Sequence, residues 1–251
     1  SGDARQFTQQ LAQRCADKGV QFLYGRDVLR LERHGNAINS VAVRANHPGA
    51  AGQKDQILQG DAIVVACGSY SAPLLRSVGV DLPIYPGKGY SATFPILRPE
   101  AAPTVSALDD GRKIAISRLG NQLRVAGTIE LGGFDMALDT PVAKARCHML
   151  SRRIEELFPG VCDTRTDEQG GNPQYWTGLR PATPTNIPFI GRTPLRGLWV
   201  NTGHGTLGWT HGAGSGLALA ELIAGQRPGM DFGFYGFDRA PKGTRLQPAR
   251  A

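Results

Sequence analysis

Asn201-Thr-Gly-His-Gly-Thr-Leu-Gly-Trp-Thr-His-Gly-Ala-Gly-Ser-Gly216 places six glycines between an apolar strand, Leu198 to Val200, and a helix-like run. With so little side-chain bulk, a strand end and a helix start face their surroundings almost bare. Glycine lets the backbone approach a planar ring or an anion closely, and the N–H groups of a first helical turn favour partial negative charge. A flexible surface loop is the plainer alternative, because a lone glycine-rich loop is a weak signal. The neighbouring sequence argues against it.

Upstream lies Gly178-Leu-Arg-Pro-Ala-Thr-Pro-Thr-Asn-Ile-Pro-Phe-Ile-Gly-Arg192, where Arg180 sits in a segment stiffened by Pro181, Pro184 and Pro188. A guanidinium pre-positioned by a rigid backbone suits a bidentate grip on a carboxylate, whereas an isolated Arg is usually a solvated charge. Three further blocks stand out: Val64-Val-Ala-Cys-Gly-Ser-Tyr-Ser71, Ile84-Tyr-Pro-Gly-Lys-Gly-Tyr-Ser91 and Tyr175-Trp-Thr-Gly178. Taken in order through nearly the whole chain, the five blocks resemble the flavin-dependent D-amino-acid oxidase superfamily, and within it most closely the bacterial D-amino-acid dehydrogenases.

The resemblance implies a fold of mixed α/β and α+β class, with a partial, Rossmann-like FAD-binding lobe and an antiparallel-sheet substrate lobe. It implies FAD as cofactor, a D-amino acid as substrate, and oxidative deamination to a 2-oxo acid and ammonia by hydride transfer from Cα to flavin N5. Electrons would pass to a quinone-type acceptor of the membrane electron-transfer chain, from a cytoplasmic site or one peripheral on the inner membrane. Arg180 is the implied carboxylate ligand and Tyr90 a hydroxyl near the substrate. Gly203, His204, Gly205, Thr206, Leu207 and Gly208 would face the isoalloxazine; Ala66, Cys67 and Gly68 would pass the middle of the cofactor, and Val28 the adenine edge. Two alternatives stay open. One is a glycine- or sarcosine-oxidase-like enzyme that uses oxygen; the other is a flavin-free, non-catalytic lobe or small-carboxylate-binding module.

The superfamily begins with a strand, a G-x-G-x-x-G turn and a helix that cradle the FAD pyrophosphate. No glycine triplet follows a strand in the first 60 residues. The expectation is therefore the later part of a longer polypeptide, with flavin binding weak or absent in this chain alone, and with self-association or a retained amino-terminal fragment.

Composition bounds the remaining readings. The chain has 251 residues, 41% of them hydrophobic, enough for a sizeable core, and no run near the roughly 20 apolar residues of a membrane span. Its net charge of +7 is scattered rather than run together. The exception is Arg239, Lys242, Arg245 and Arg250, in a tail over 239–251 expected to be flexible. With no nucleic-acid signature and few aromatics, nucleic acid is not an expected partner. Cys15, Cys67, Cys147 and Cys162 lack metal or redox spacing and are expected to be reduced and mostly buried. His204 and His211 bracket the glycine loop, but two histidines without a third ligand make no zinc site. His204 matches the resembled motif and is expected to contact the flavin or to order the loop. His211 and Ala213 depart from it.

Periodicity predicts a helix over 3–18, strands over 20–23, 28–33 and 37–44 with a His34-Gly-Asn36 hairpin turn, and a fully covered parallel strand over 62–66. A short helix follows at 71–78. Alternation over 91–96, 113–118 and 122–131 predicts an antiparallel sheet with one wet face, and 141–158 and 212–224 read as helices. The expected lobes are 1–85 with 181–238 on the flavin side, and 86–180 for the substrate sheet. Tyr175 and Trp176 read as core aromatics or pocket lining, and Lys88 as a solvated charge or a residue at the active-site mouth.

Overall fold

The computed structural model describes residues 2–48, 52 and 54–229. The chain forms two compact units, one from residues 1–18 and 86–179, the other from 19–85 and 180–251. The opening helix, α1 (Ala4–Ala16), thus groups with the sheet unit, where lobe 1–85 had placed it on the flavin side. Asp3 caps it by accepting the Gln6 N–H at 3.0 Å. Phe7 and Leu11, the apolar stripe that predicted this helix, stay about half exposed.

The second unit begins with Val20 to Tyr24, which forms no strand, contrary to expectation. The β-branched and aromatic content is there, but the segment pairs with no strand among the described residues, and Val20, Phe22, Leu23 and Tyr24 are all exposed. β1 (Arg26–His34) and β2 (Ala37–Ala45) form the predicted hairpin, and β3 (Gln56–Gln59) extends it antiparallel. Asp55 ties this sheet, taking Arg44 at 2.9 Å and Arg30 at 3.3 Å.

β4 (Ile63–Val65) is shorter than its apolar run and is an edge strand rather than a covered one. Among the described residues it pairs only with a later parallel strand, and Val64 is 42% exposed. Its apolar sequence anticipates neighbours on both sides. After it come a one-turn helix at Gly68–Tyr70 and α2 (Ser71–Arg76).

β5 (Tyr85–Pro95) opens the sheet of the first unit, followed by β6 (Ala107–Asp109), β7 (Ile114–Leu119) and β8 (Gln122–Glu130), the last two turned at Gly120-Asn121. α3 (Pro141–Leu157) starts with Thr140 accepting the Ala143 N–H at 3.2 Å and Pro141 in its first turn. It lays Ala143, Cys147, Leu150 and Ile154 onto Tyr90, Phe94, Ile114, Ile116, Leu123 and Val125, forming one apolar core. β6, β7, β8 and β5 pair antiparallel in turn, and β9 (Gln174–Ala182) joins the sheet next to β5, in the order β6-β7-β8-β5-β9. On the other face Arg124 donates to Ser91 at 3.0 Å.

Back in the second unit, β10 (Phe189–Arg192) pairs antiparallel with β11 (Leu198–Thr202), which runs parallel to β4. α4 (Gly208–Ile223) follows, starting a turn earlier than its sequence predicted. Trp199, Ile190 and Leu219 form the contact between this sheet and α4. No described helix is long and apolar enough to cross a membrane. Residues 239–251, expected as a flexible tail, lie outside the described residues.

Candidate functional site

β4 and β11 are parallel neighbours, so their C-terminal ends emerge side by side, each into a glycine turn. Thr202 fastens the two turns together, its hydroxyl donating to the Gly68 carbonyl at 2.9 Å. Gly203 follows with φ +82°, and a Cβ there would stand 2.9 Å from Thr183 Cγ2. A left-handed backbone pressed onto a threonine methyl needs glycine. Gly205 donates to the Pro181 carbonyl at 3.0 Å, and Leu207 closes the turn onto His204 at 3.0 Å. The proline-framed Arg180 segment and the glycine loop are therefore one docked assembly within the second unit.

This assembly fits a flavin edge on several counts. Gly68 and Gly205 sit at φ +55° and +53°, and a Cβ on either would meet nothing within 4 Å. The backbone there is bare and open to a flat ligand. Of the loop N–H groups, those of Gly205 and Leu207 are spent inside the protein, while those of Thr206 and Gly208 have no partner among the described residues. The N-cap residue of α4, Leu207, makes no side-chain cap hydrogen bond, and a first helical turn carries partial positive charge. Asn201, at the end of β11, holds a buried side-chain oxygen with no hydrogen-bond donor among the described residues. Such a buried acceptor, costly when unpaired, sits two residues before the loop.

Arg180 is half-buried, and burial pulls its guanidinium below the ordinary arginine value. It remains a cation at neutral pH. His204 is partly buried; burial first, and the nearby His211 second, lower its pKa and favour the neutral ring. The two imidazoles lie 6.4 Å apart, centroid to centroid. His204 Nε2 is 3.2 Å from the Ser215 hydroxyl, which lies 3.1 Å from the Gly212 carbonyl.

The other sequence-selected residues are placed as follows. Ala66 and Cys67 are exposed just past β4, so Cys67 is not in the strand core; Cys147 and Cys162 are buried. Val28 is about half exposed on β1, opposite Val43. Tyr90 lies in the first unit, 1% exposed, its hydroxyl donating to Glu130 at 2.5 Å. Burial, then that bond, raise its pKa above the usual tyrosine range.

Lys88 is neither solvated nor at a mouth: it is fully buried, donating to the Ala137 carbonyl at 2.7 Å, with Asp135 at 3.9 Å. Tyr175 packs on the α3 core and bonds Ser151 at 3.0 Å, but Trp176 is 56% exposed. Sequence reading missed Pro181, Thr183, Thr202 and Ser215, which hold the glycine loop. The Thr202 contact joins residues 134 apart, whereas Ser215 reaches back only 11 to His204, and only the proline spacing hinted at any of them.

A sheet of mixed direction that ends in bare glycine turns is compatible with a flavoenzyme type of fold, and comparison with known proteins shows the family. Residues 1–222 match the FAD dependent oxidoreductase family, to which this chain belongs. The D-amino acid dehydrogenase of Dechloromonas aromatica is 50% identical over 234 residues, covering 93% of this chain and 52% of that protein. The D-amino acid dehydrogenase of Methylobacterium radiotolerans is 45% identical over 228 residues, covering 91% and 50%. The chain thus spans about half the length of these relatives. Among solved structures, glycine oxidase from Geobacillus kaustophilus superposes with a TM-score of 0.73 at 23% identity, over 92% of this chain and 56% of that one. L-proline dehydrogenase from P.horikoshii gives 0.70 at 18%, over 91% and 57%. These two show a shared fold.

Proposed function

We propose that this chain supplies the carboxylate-binding arginine and the flavin-facing glycine loop of an FAD-dependent D-amino acid dehydrogenase. The observation that carries the reading is the docking of the Arg180 segment onto the Gly203–Gly208 loop through the Gly205 to Pro181 bond, in a chain 50% identical to a protein of that name. FAD, when bound, supplies the two-electron acceptor.

Arg180 holds the substrate carboxylate with two parallel N–H···O bonds and so fixes the Cα–H direction; orientation of this kind is a large part of catalysis when the bond to be broken needs no acid. The amine would enter neutral, loss of the Cα–H as hydride would leave an iminium ion, and water would hydrolyse that ion to a 2-oxo acid and ammonium. The N–H groups of Thr206 and Gly208 and the open end of α4 would offer the bound cofactor fixed donors that need no reorganisation. Ala66, Cys67 and Gly68 would line the cofactor's middle and Val28 its far edge. Tyr90, whose proton is held by Glu130, serves the sheet unit by orientation and not as an acid or base.

In this reading electrons leave for a quinone-type acceptor, and the FAD pyrophosphate is held by a G-x-G-x-x-G segment of the kind the fold family uses. The test uses the chain alone and the chain co-expressed with such a segment, loaded with FAD and mixed with D- or L-amino acids without oxygen. Bleaching of the flavin by D-amino acids only, with stoichiometric reduction of a quinone-like dye, is expected. A flavin-loaded protein that no D-amino acid bleaches overturns the reading, and peroxide formed in air with no dye reduction assigns an oxidase instead.

A further inference from the structure

The Ser215 hydroxyl has a single proton and two neighbours that compete for it. One is the Gly212 carbonyl at 3.1 Å, three residues back on α4, and the other is Nε2 of His204 at 3.2 Å. A carbonyl oxygen only accepts, so the bond to Gly212 takes the hydroxyl proton, and the serine oxygen then has only lone pairs left for the imidazole. His204 must therefore be the donor. In a neutral imidazole one nitrogen carries the proton and the other accepts. This placement of the hydroxyl proton puts the imidazole proton on Nε2 and leaves Nδ1 a bare acceptor.

We propose that Ser215 is a positioning residue that locks His204 as the neutral Nε2–H tautomer, so that the glycine loop offers its ligand an imidazole acceptor at Nδ1 and no positive charge. Three observations support the lock. Ser215 is buried on α4, with 4% of its surface exposed, and its hydroxyl is held at both sides. His204 closes the loop turn with its own carbonyl, accepting from Leu207 at 3.0 Å, so ring and loop backbone are fixed together. His211, the titratable neighbour on α4, adds a second imidazole 6.4 Å away, and two positive rings at that distance would repel. The ligand atom that meets Nδ1 must then be an N–H or O–H donor. Charge stabilisation at this loop falls to backbone N–H groups and the helix end.

The lock rests on bonds within the chain, so it is testable without cofactor and stands or falls separately from the flavin reading. The full chain, labelled with 15N-histidine, is examined by long-range 1H–15N correlation at a pH where His204 is neutral; the pattern of couplings distinguishes protonated from bare ring nitrogens. A His204 signal with Nε2 protonated and Nδ1 bare is expected, assigned by its loss in His204→Gln. In Ser215→Ala the signal should move toward a mixture of the two tautomers, while Ser215→Thr should restore the single form. An Nδ1–H ring or a mixture in the unmodified chain overturns the proposal, even if the variants fail to fold. An unchanged tautomer in Ser215→Ala overturns the role of Ser215.

Discussion

Arg180, Tyr90 and Gly178 each lend themselves to a single substitution. Lysine at 180 keeps the charge but offers a point donor in place of a planar fork, so Arg180→Lys should raise KM, and Arg180→Ala should lose on the order of 3 kcal/mol of substrate binding. Flavin content of the assembled enzyme should stay unchanged, since the proposed role of Arg180 is to hold the substrate; unchanged KM for a D-amino acid in Arg180→Ala would refute the assignment. Tyr90→Phe removes a buried hydroxyl and leaves Glu130, among the described residues, with Arg146 as its charged neighbour, 3.5 Å away. Loss of one such bond costs about 1 to 3 kcal/mol in thermal or denaturant unfolding.

The same tyrosine sets a pH dependence. Its folded pKa lies above the unfolded value, so above the usual tyrosine value of about 10 the unfolded chain loses a proton that the folded one keeps. Its contribution to stability is intact below that pH and declines as pH rises. Tyr90→Phe should flatten the alkaline decline; an identical alkaline profile in both proteins would show that the bond to Glu130 carries no such linkage. At Gly178 a Cβ would stand 2.2 Å from the far edge of the Trp176 indole. Gly178→Ala should therefore swing Trp176 away from Arg124, which lies 5.7 Å from its ring, with a shift in tryptophan fluorescence and little loss of stability.

Elements were legible in the sequence where their partners are local. The hairpin of β1 and β2, the turn between β7 and β8, and α3 with its Thr140-Pro141 start appear within a few residues of their expected bounds, because turn chemistry and capping act over short separations. β4 is the parallel strand its apolar run predicts, though without full cover, and the Val20–Tyr24 segment forms no strand, both for the opposite reason. Their residues are of strand type, yet a strand exists only where another pairs with it, and β4 is left an edge with Val64 exposed. The site follows the same division. The glycines and the arginine of the proposed site are readable, whereas the Thr202 contact that holds them acts across the fold. Lys88 shows the limit most plainly: a lysine in a strand gives no sign that it will be buried against a carbonyl 49 residues away. For the loop element the decisive change is Gly203→Ala, which combines a left-handed φ with the Thr183 contact. It should cost about 1 to 2 kcal/mol from backbone conformation alone. The Gly205 amide, bonded to Pro181, should lose protection from hydrogen exchange; retained protection would mean that the loop does not depend on this turn.

At the scale of the molecule, both compact units are built from separated stretches of chain. The second joins residues 19–85 to 180 onward, and the contact that assembles its site, Thr202 to Gly68, spans 134 residues. During synthesis on the ribosome the chain emerges at roughly 5 to 20 residues per second. Gly68 and its short strand are therefore made on the order of ten seconds before β11 exists to pair with them, and a whole antiparallel sheet is translated in the interval. For that time an apolar strand edge is presented to the cell, the condition under which nascent chains recruit chaperones or stick to one another. The feature that brings two glycine turns side by side in the finished protein is thus also what makes its birth hazardous, and yield in the cell should depend on elongation rate and chaperone supply more steeply than the stability of the purified chain would indicate.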